Sequence, residues 1–331
     1  MAPTSDQLPE LARRFAALDM TGWDDAAFDR AVTHLGWRRT QDGSEGGTPL
    51  RTDREEYETG LGTGPGLLAR HGSDDERTGI SVRVGEAGEF FPRLRAALED
   101  ALGAPSIMRG PGPLLRWRGP VRLLELERLG DDAYLRIVPT EAVENDEYRT
   151  AKWAEPEDGL EQLGYWQIVG RGPELAGLFL PGGYYAEDWA EFENRLATTF
   201  SSILNDFSLL EKRDDFTVVV RTPGEHGFVQ WTTDRDWGLH IEAAIPPDHD
   251  PAWRETMTGL GWPLDDTPEG EFCVADDFSE PGTDEANIAA RMLVGALKSY
   301  GFPFEDLWYE RISRDPDLLG IGLPTRHGDR F

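Results

Sequence analysis

Residues 216–246, FTVVVRTPGEHGFVQWTTDRDWGLHIEAAIP, decide the fold of the C-terminal half of this chain. In its last part every second residue from Trp237 to Ile245 is apolar, so these side chains share one face of a pleated strand. Pro-Gly and Asp-Arg-Asp turn sequences separate the strand-like runs. The stretch therefore predicts three consecutive antiparallel strands: 217–221, 227–233 and 237–245.

The second and third predicted strands have a polar face. If Val229 and Trp231 pair with the apolar face of the third strand, four other residues are left on the opposite face. An aromatic side chain on such a face is typical of an interaction surface, unless a helix or the other half of the chain covers it. His and Glu on one strand face also suit a metal site, but a solvent-facing polar strand is the commoner explanation. The residues predicted to contact a peptide or protein partner are Phe228, Gln230, His240 and Glu242.

Helical periodicity surrounds this meander. A long helix starting near residue 187 has six apolar residues along one stripe: Trp189, Phe192, Leu196, Phe200, Ile203 and Phe207. Further helices are predicted at residues 250–260, 283–300 and 303–313, and residues 315–331 are predicted to be loosely ordered. The meander's apolar face is expected to pack against the helices that begin near Trp189 and Thr283.

The N-terminal half has the same mixture of elements. Apolar stripes predict helices, and alternating runs separated by Gly-Pro and Gly-Asp-Asp predict strands. The Gly-rich motif GLGTGPG at residues 60–66 is interpreted as a β-turn, and residues 37–50 as a loop. The predicted helices are 8–18, 24–35 and 90–102, and the predicted strands are 80–84, 114–118, 121–128 and 133–138.

The sequence thus predicts an α+β protein of two small domains, each an antiparallel β-meander packed against helices. The first domain is expected to span residues 1–180, including an acidic extension or linker at about 140–186. The second is expected to span residues 187–331.

The composition is strongly acidic. The 331 residues include 62 acidic and 33 basic residues, for a net charge of −29. Nucleic acid and anionic membranes are therefore poor partners, because binding phosphate requires clustered cations. A basic protein or peptide partner is the better match, although such a charge also simply favours solubility. The single cysteine, Cys273, excludes an intramolecular disulfide, and no signal peptide or transmembrane run is visible, so we expect a cytoplasmic protein.

Motifs of catalysis are missing from the sequence. The Gly-rich motif has no following Gly-Lys-Ser/Thr, and Pro65 and the strand-like residues 67–70 follow where a dinucleotide-binding motif requires a helix. No HExxH, EF-hand or Gly-x-Ser-x-Gly pattern occurs. We therefore predict no cofactor, no metal, no catalytic residue and no enzyme activity, although a hydrolase site assembled in space would have no local signature.

Several motifs of the sequence resemble known protein families. GFVQW at 227–231, WGLHIEA at 237–243, LGWPLDD at 260–266 and the 285–301 helix resemble the TY-Chap families, which group with YbjN-like and type III secretion chaperone-like proteins. In the first half, FDRAVTHLGW at 28–37, GLGTGPG, LGAPS at 102–106 and LLRWRGP at 114–120 resemble an uncharacterised actinobacterial domain of unknown function.

The TY-Chap resemblance implies a non-enzymatic chaperone or adaptor that holds a peptide across a sheet-and-helix surface. It also implies a homodimer, and it supplies no catalytic residues. The alternative from a different class is an immunity-type protein that neutralises a cognate toxin by masking a basic cleft with its acidic surface.

Overall fold

In a computed structural model, the chain forms two compact units. The first unit contains Met1–Leu163 and Val169–Pro181, and the second contains Gly164–Ile168 and Gly182–Phe331. Whether residue 180 bounds independently folding domains stays a prediction. The structure describes residues 8–39, 48–51, 58–63, 78–170, 172–178, 180, 183–210, 216–223, 227–234, 238–247, 249–264, 272–278, 283–311 and 318–325.

The first unit combines helices with antiparallel strands, as predicted. Asp24 starts the second helix by accepting a hydrogen bond from Ala27 N, and Gly36, with a φ of 74°, ends it. In its described residues the elements are α1 (Leu8–Ala16), α2 (Asp25–Leu35), β1 (Arg38–Arg39), β2 (Thr48–Arg51), β3 (Glu58–Thr63), β4 (Thr78–Glu86), α3 (Ala87–Leu102), β5 (Ile107–Gly110), β6 (Leu114–Arg118), β7 (Arg122–Leu129), β8 (Asp132–Pro139), α4 (Thr140–Trp153) and α5 (Pro156–Leu163). The chain passes between the units around β9 (Trp166–Val169), and a 3-10 turn follows at Pro173–Leu175.

Strands β1 to β8 form one antiparallel sheet in the order β1-β2-β3-β4-β8-β7-β6-β5. Alternate residues of the central strands are apolar and completely buried, and they form the core with α3 and α1. The opposite face of β7 and β8 meets α4, where Leu123, Val138 and Val143 form a small apolar cluster. The sheet is therefore covered on both faces in its central part.

An ionic ladder crosses the face that meets α4. Arg116, Glu125 and Arg136 are register partners on three adjacent strands, and the Nε atom of Arg116 donates to Glu125 Oε1 at 2.7 Å. Glu147 of α4 accepts from Arg116 at 2.9 Å and from Arg109 at 2.6 Å. The ladder consists of three arginines and three glutamates: Arg109, Arg116, Arg136, Glu125, Glu127 and Glu147. Buried charges are tolerated when they are paired in this way.

The second unit is a smaller α+β arrangement. Asp188 starts its long helix by accepting from two backbone N–H groups, and Asp250 followed by Pro251 starts another. In its described residues the elements are α6 (Trp189–Phe207), β10 (Phe216–Arg221), β11 (Phe228–Asp234), β12 (Gly238–Ala244), α7 (Pro251–Gly259), β13 (Phe272–Phe278), α8 (Thr283–Ser299), a 3-10 turn (Phe304–Asp306) and β14 (Trp308–Arg311).

The five strands of this unit pair antiparallel in the order β13-β12-β11-β10-β14. Trp231 lies opposite Val218 on one side and Ile241 on the other, so one face is apolar. Phe200 of α6 packs edge-on against Trp231 at a centroid distance of 5.2 Å. The α+β class and the predicted packing of the meander against α6 and α8 are thus confirmed.

The structure corrects the prediction for the C-terminus. Residues 303–313 were predicted to be a helix, but they contain a short 3-10 turn followed by strand β14, which pairs with β10. The segment 315–331 is predicted to be loosely ordered, but its described part is buried at Leu318, Leu319 and Ile321, while residues 315–317 and 326–331 lie outside the described residues. Its backbone is fixed within the unit, since Gly320 N donates to Tyr165 O at 2.9 Å and Leu319 O accepts from Tyr184 N at 3.1 Å.

Two predictions in the first unit are wrong for the residues that the structure describes. The Gly-rich motif was interpreted as a turn, but Gly60 and Gly62 lie within strand β3; residues 64–66 are outside the described part. The predicted loop at residues 37–50 contains β1 and the start of β2, while residues 40–47 lie outside the described part. Glycine gives no side-chain alternation, so the period of a strand is not visible in the sequence there.

Candidate functional site

The sheet of the second unit has one face that its apolar core does not use, here called the polar face. Three rows of side chains cross it, as the strand register shows. The middle row is the longest and reaches from β14 to β13. The rows are Trp308, Arg221 and Phe228; then Glu310, Val219, Gln230, Glu242 and Val274; then Thr217, Thr232 and His240.

All four residues predicted to bind a partner lie on the polar face. Gln230 and Glu242 are register partners, and the Gln230 amide donates a hydrogen bond to the Glu242 carboxylate. His240 Nε2 lies 3.0 Å from the other Glu242 oxygen. Glu242 therefore orients both neighbours, and the three side chains act as one polar group. Their role in binding stays a prediction.

Phe228 belongs to a second cluster on the same face. The Arg221 guanidinium lies over its ring at 5.3 Å from the centroid, within cation–π range, and donates to the Glu310 carboxylate. Arg221 and Glu310 are not among the residues predicted from the sequence to bind a partner. Arg221 could have been found, because pairing the first two strands of the meander places it opposite Phe228. Glu310 could not have been found in this way, because the sequence predicts a helix for residues 303–313.

The end of the Phe228 row is held in place by the chain beyond α8. The Tyr300 hydroxyl lies 2.8 Å from Ala244 O and 3.1 Å from Phe228 O, and it donates to these carbonyls. Burial raises the pKa of Tyr300, so its hydroxyl keeps the proton that it donates. A Cβ atom on Gly227 would lie 2.9 Å from the Tyr300 ring, which explains the glycine beside Phe228. Phe228 is thus presented from a fixed backbone.

The thiol of the unit is shielded from reaction. Cys273 is buried on the core face, and burial raises the pKa of its thiol to about 11, which makes it a poor nucleophile. Within the described ranges, no group of three His, Cys, Asp or Glu side chains is placed to hold a metal ion. The same residues contain no helix long and apolar enough to cross a membrane.

The second unit is thus an α+β module whose sheet packs against helices on one face and carries clustered polar and aromatic side chains on the other. Residues 183–308 match the model of the family TY-Chap3, described as T3SS (YopN, CesT) and YbjN peptide-binding chaperone 3. This match confirms the resemblance stated for the C-terminal half and indicates a chaperone-like role with a protein or peptide partner. No curated protein and no solved structure matches the chain. The resemblance of the N-terminal half stays a prediction.

Proposed function

We propose that the protein is a non-enzymatic chaperone or adaptor of the cytoplasm whose polar face binds a segment of a partner protein. The observation that carries this proposal is the family match over residues 183–308, which include all four predicted contact residues. The lone, buried Cys273 suits a reducing compartment.

The side chains of the polar face suggest which segment would bind. Phe228 and the half-exposed Val274 offer apolar contact at two places. Glu242 supplies a carboxylate that is about one-fifth exposed, whereas Glu310 is already paired with Arg221. A segment with an apolar or aromatic residue next to a Lys or Arg would match both features, since cations favour carboxylates.

Replacing Phe228 with alanine is expected to weaken the partner complex at least about tenfold, because buried aromatic anchors dominate the energy of interfaces. The partner would be isolated by co-purification from the native host with mass spectrometry, and its affinity measured with the full chain. The matched control is Ile288→Ala on α8, an exposed apolar side chain that is outside the polar face. It should change the affinity less than twofold.

Equal effects of the two substitutions, or an intact complex after Phe228→Ala, would contradict this placement of the site. Thermal unfolding of both variants shows whether the fold is preserved. Light scattering of the free protein tests the homodimer that the family resemblance implies.

The net charge of −29 favours a second candidate, the immunity-type protein that masks the basic cleft of a toxin. Binding by a charged surface weakens steeply as salt screens it. Rescue of cells from a toxin encoded beside this protein, with affinity that falls strongly between low and high salt, would support this candidate. Affinity indifferent to salt would contradict it.

A further inference from the structure

The first unit contains a cleft that the proposed function does not use. It lies between the turn joining β6 to β7 and the connection between α1 and α2, and the segment after α3 closes one side. Its volume is about 540 Å³, within the range of small-molecule sites. All of its lining residues belong to the first unit.

Apolar side chains form much of the cleft's surface. Trp117 and Leu18 are buried in its wall, whereas Leu102 and Val121 are each 39% exposed. Large apolar side chains exposed within a concave site gain free energy when a ligand covers them. The cleft is therefore suited to a ligand with an apolar part.

Two arginines line the same cleft, and they differ in their partners. The Arg118 guanidinium is paired with Glu144, with Nη2 at 2.9 Å from Oε2. Arg122 donates from Nη2 to Ala16 O at 2.6 Å, but no carboxylate of the described residues lies within 4 Å of its guanidinium. Burial lowers the pKa of Arg122, which Asp19 offsets only in part. A half-buried cation without a paired carboxylate lowers the stability of the fold. Because this chain has 62 acidic residues, a shortage of carboxylates does not explain why Arg122 has no such partner.

The acidic residues of the cleft restrict the kind of anion that could pair with Arg122. Asp19 lies on the wall, where it accepts a hydrogen bond from Thr21 N at 2.9 Å. Hydrogen bonding to the side chain and then to the backbone of Thr21 lowers the pKa of Asp19. Glu174 lines another part, and its backbone oxygen accepts from Arg118. Two nearby carboxylates would repel a dianion such as phosphate more strongly than a single negative charge.

We propose that this cleft binds a monoanionic carboxylate carried on an apolar group. Arg122 holds the carboxylate, and Leu102 and Val121 contact the apolar part. A free aliphatic acid and a peptide C-terminus ending in an apolar residue share this chemistry.

Calorimetric titration of the full chain tests the proposal and separates the two sources. The probes are 4-methylpentanoate, the matched alcohol 4-methylpentan-1-ol, and the peptide acetyl-Gly-Gly-Leu with a free or an amidated C-terminus. Both carboxylates should bind at least about tenfold more tightly than their neutral counterparts, because a charge-assisted hydrogen bond is lost in the latter. Tighter binding of the peptide acid than of the free acid identifies a peptide terminus as the source. No binding of either acid, or equal binding of acid and alcohol, overturns the proposal.

Variants of the cleft locate the site. Arg122→Met should weaken carboxylate binding at least about tenfold, and Asp19→Asn should strengthen it several-fold, because a competing negative charge is removed. Asn keeps the oxygen that accepts from Thr21 N. If Arg122→Met unfolds, Val121→Glu provides the second variant: its exposed side chain would place a negative charge at the mouth and should also weaken binding. Unchanged affinity in folded Arg122→Met or in Val121→Glu would overturn the assignment.

Discussion

Replacing Glu147 with alanine is expected to lower the free energy of unfolding of the first unit by about 3–5 kcal/mol, the typical cost of breaking a buried ion pair. Glu147 is 5% exposed and accepts hydrogen bonds from both Arg109 and Arg116. Its removal leaves two buried guanidinium groups with less negative charge beside them. Urea unfolding at neutral pH measures the loss. Glu141→Ala, an exposed position on the same helix, is the control and should cost less than about 1 kcal/mol.

The same carboxylate determines part of the acid sensitivity of the fold. Arg109 and Arg116 outweigh the effect of burial and lower the pKa of Glu147 to about 2, from an ordinary 4.5. The native state therefore binds this proton less readily than the unfolded state, so the stabilisation is complete above pH 4.5 and is lost as the pH falls towards 2. Glu147→Ala should show a flatter loss of stability in that window. An equally steep decline in the variant would contradict the ladder's geometry.

Glu127 acts in a different pH window. Burial raises the pKa of Glu127 to about 7 although Arg136 contacts it. Its contribution to stability is present below pH 4.5 and declines as the pH rises towards 7, because the native state holds this proton more tightly. The two carboxylates can thus be distinguished in one titration of stability against pH.

The second large effect is expected at Trp231 in the core of the second unit. Its side chain is completely buried and packs against Phe200, so Trp231→Ala should cost about 3–5 kcal/mol through lost burial and the cavity left behind. In the described residues the indole N–H has no hydrogen-bond partner, so Trp231→Phe sacrifices no such bond. The Phe variant should lose less than half as much, measured by urea unfolding. Similar losses, or a loss below about 1 kcal/mol for Ala, would contradict this account of the core.

Much of the second unit follows from local sequence patterns. Alternation in the meander predicts which residues face α6 and α8, and the observed pairing of Trp231 with Ile241 agrees. The stripe along α6 likewise predicts the burial of Phe192, Phe200 and Ile203. In the meander and in α6, the apolar residues recur with the period of the element, and these residues form its buried face.

Elements that depend on distant partners were not predictable in this way. The spacing of Leu307, Trp308 and Ile312 suits a helix, but β14 obtains its hydrogen bonds from β10, about 90 residues earlier in the chain. The indole of Trp166 likewise donates to Ser202 and Asp206 of α6 at 2.9 and 3.0 Å, and these partners are 36 and 40 residues further along the chain. Such pairings leave no local period in the sequence.

The burial of the ionic ladder was likewise not predictable from the sequence. Arg116, Glu125 and Arg136 alternate with apolar residues, which is also the pattern of a strand face exposed to water. Only the packing of α4 over that face makes them buried. The polar face of the second unit has the same sequence pattern, and there the four predicted residues lie together as the alternation required.

Photo-crosslinking tests the proposed peptide-binding face most directly. The photoreactive amino acid p-benzoylphenylalanine would replace either Val274 on the polar face or Ile288 on α8, two apolar residues that are 37% and 40% exposed. Each full-length variant would be irradiated with the co-purified partner. The proposal requires crosslinks from position 274 and few or none from position 288. Equal crosslinking at both positions, or crosslinking at 288 alone, would contradict binding at the polar face.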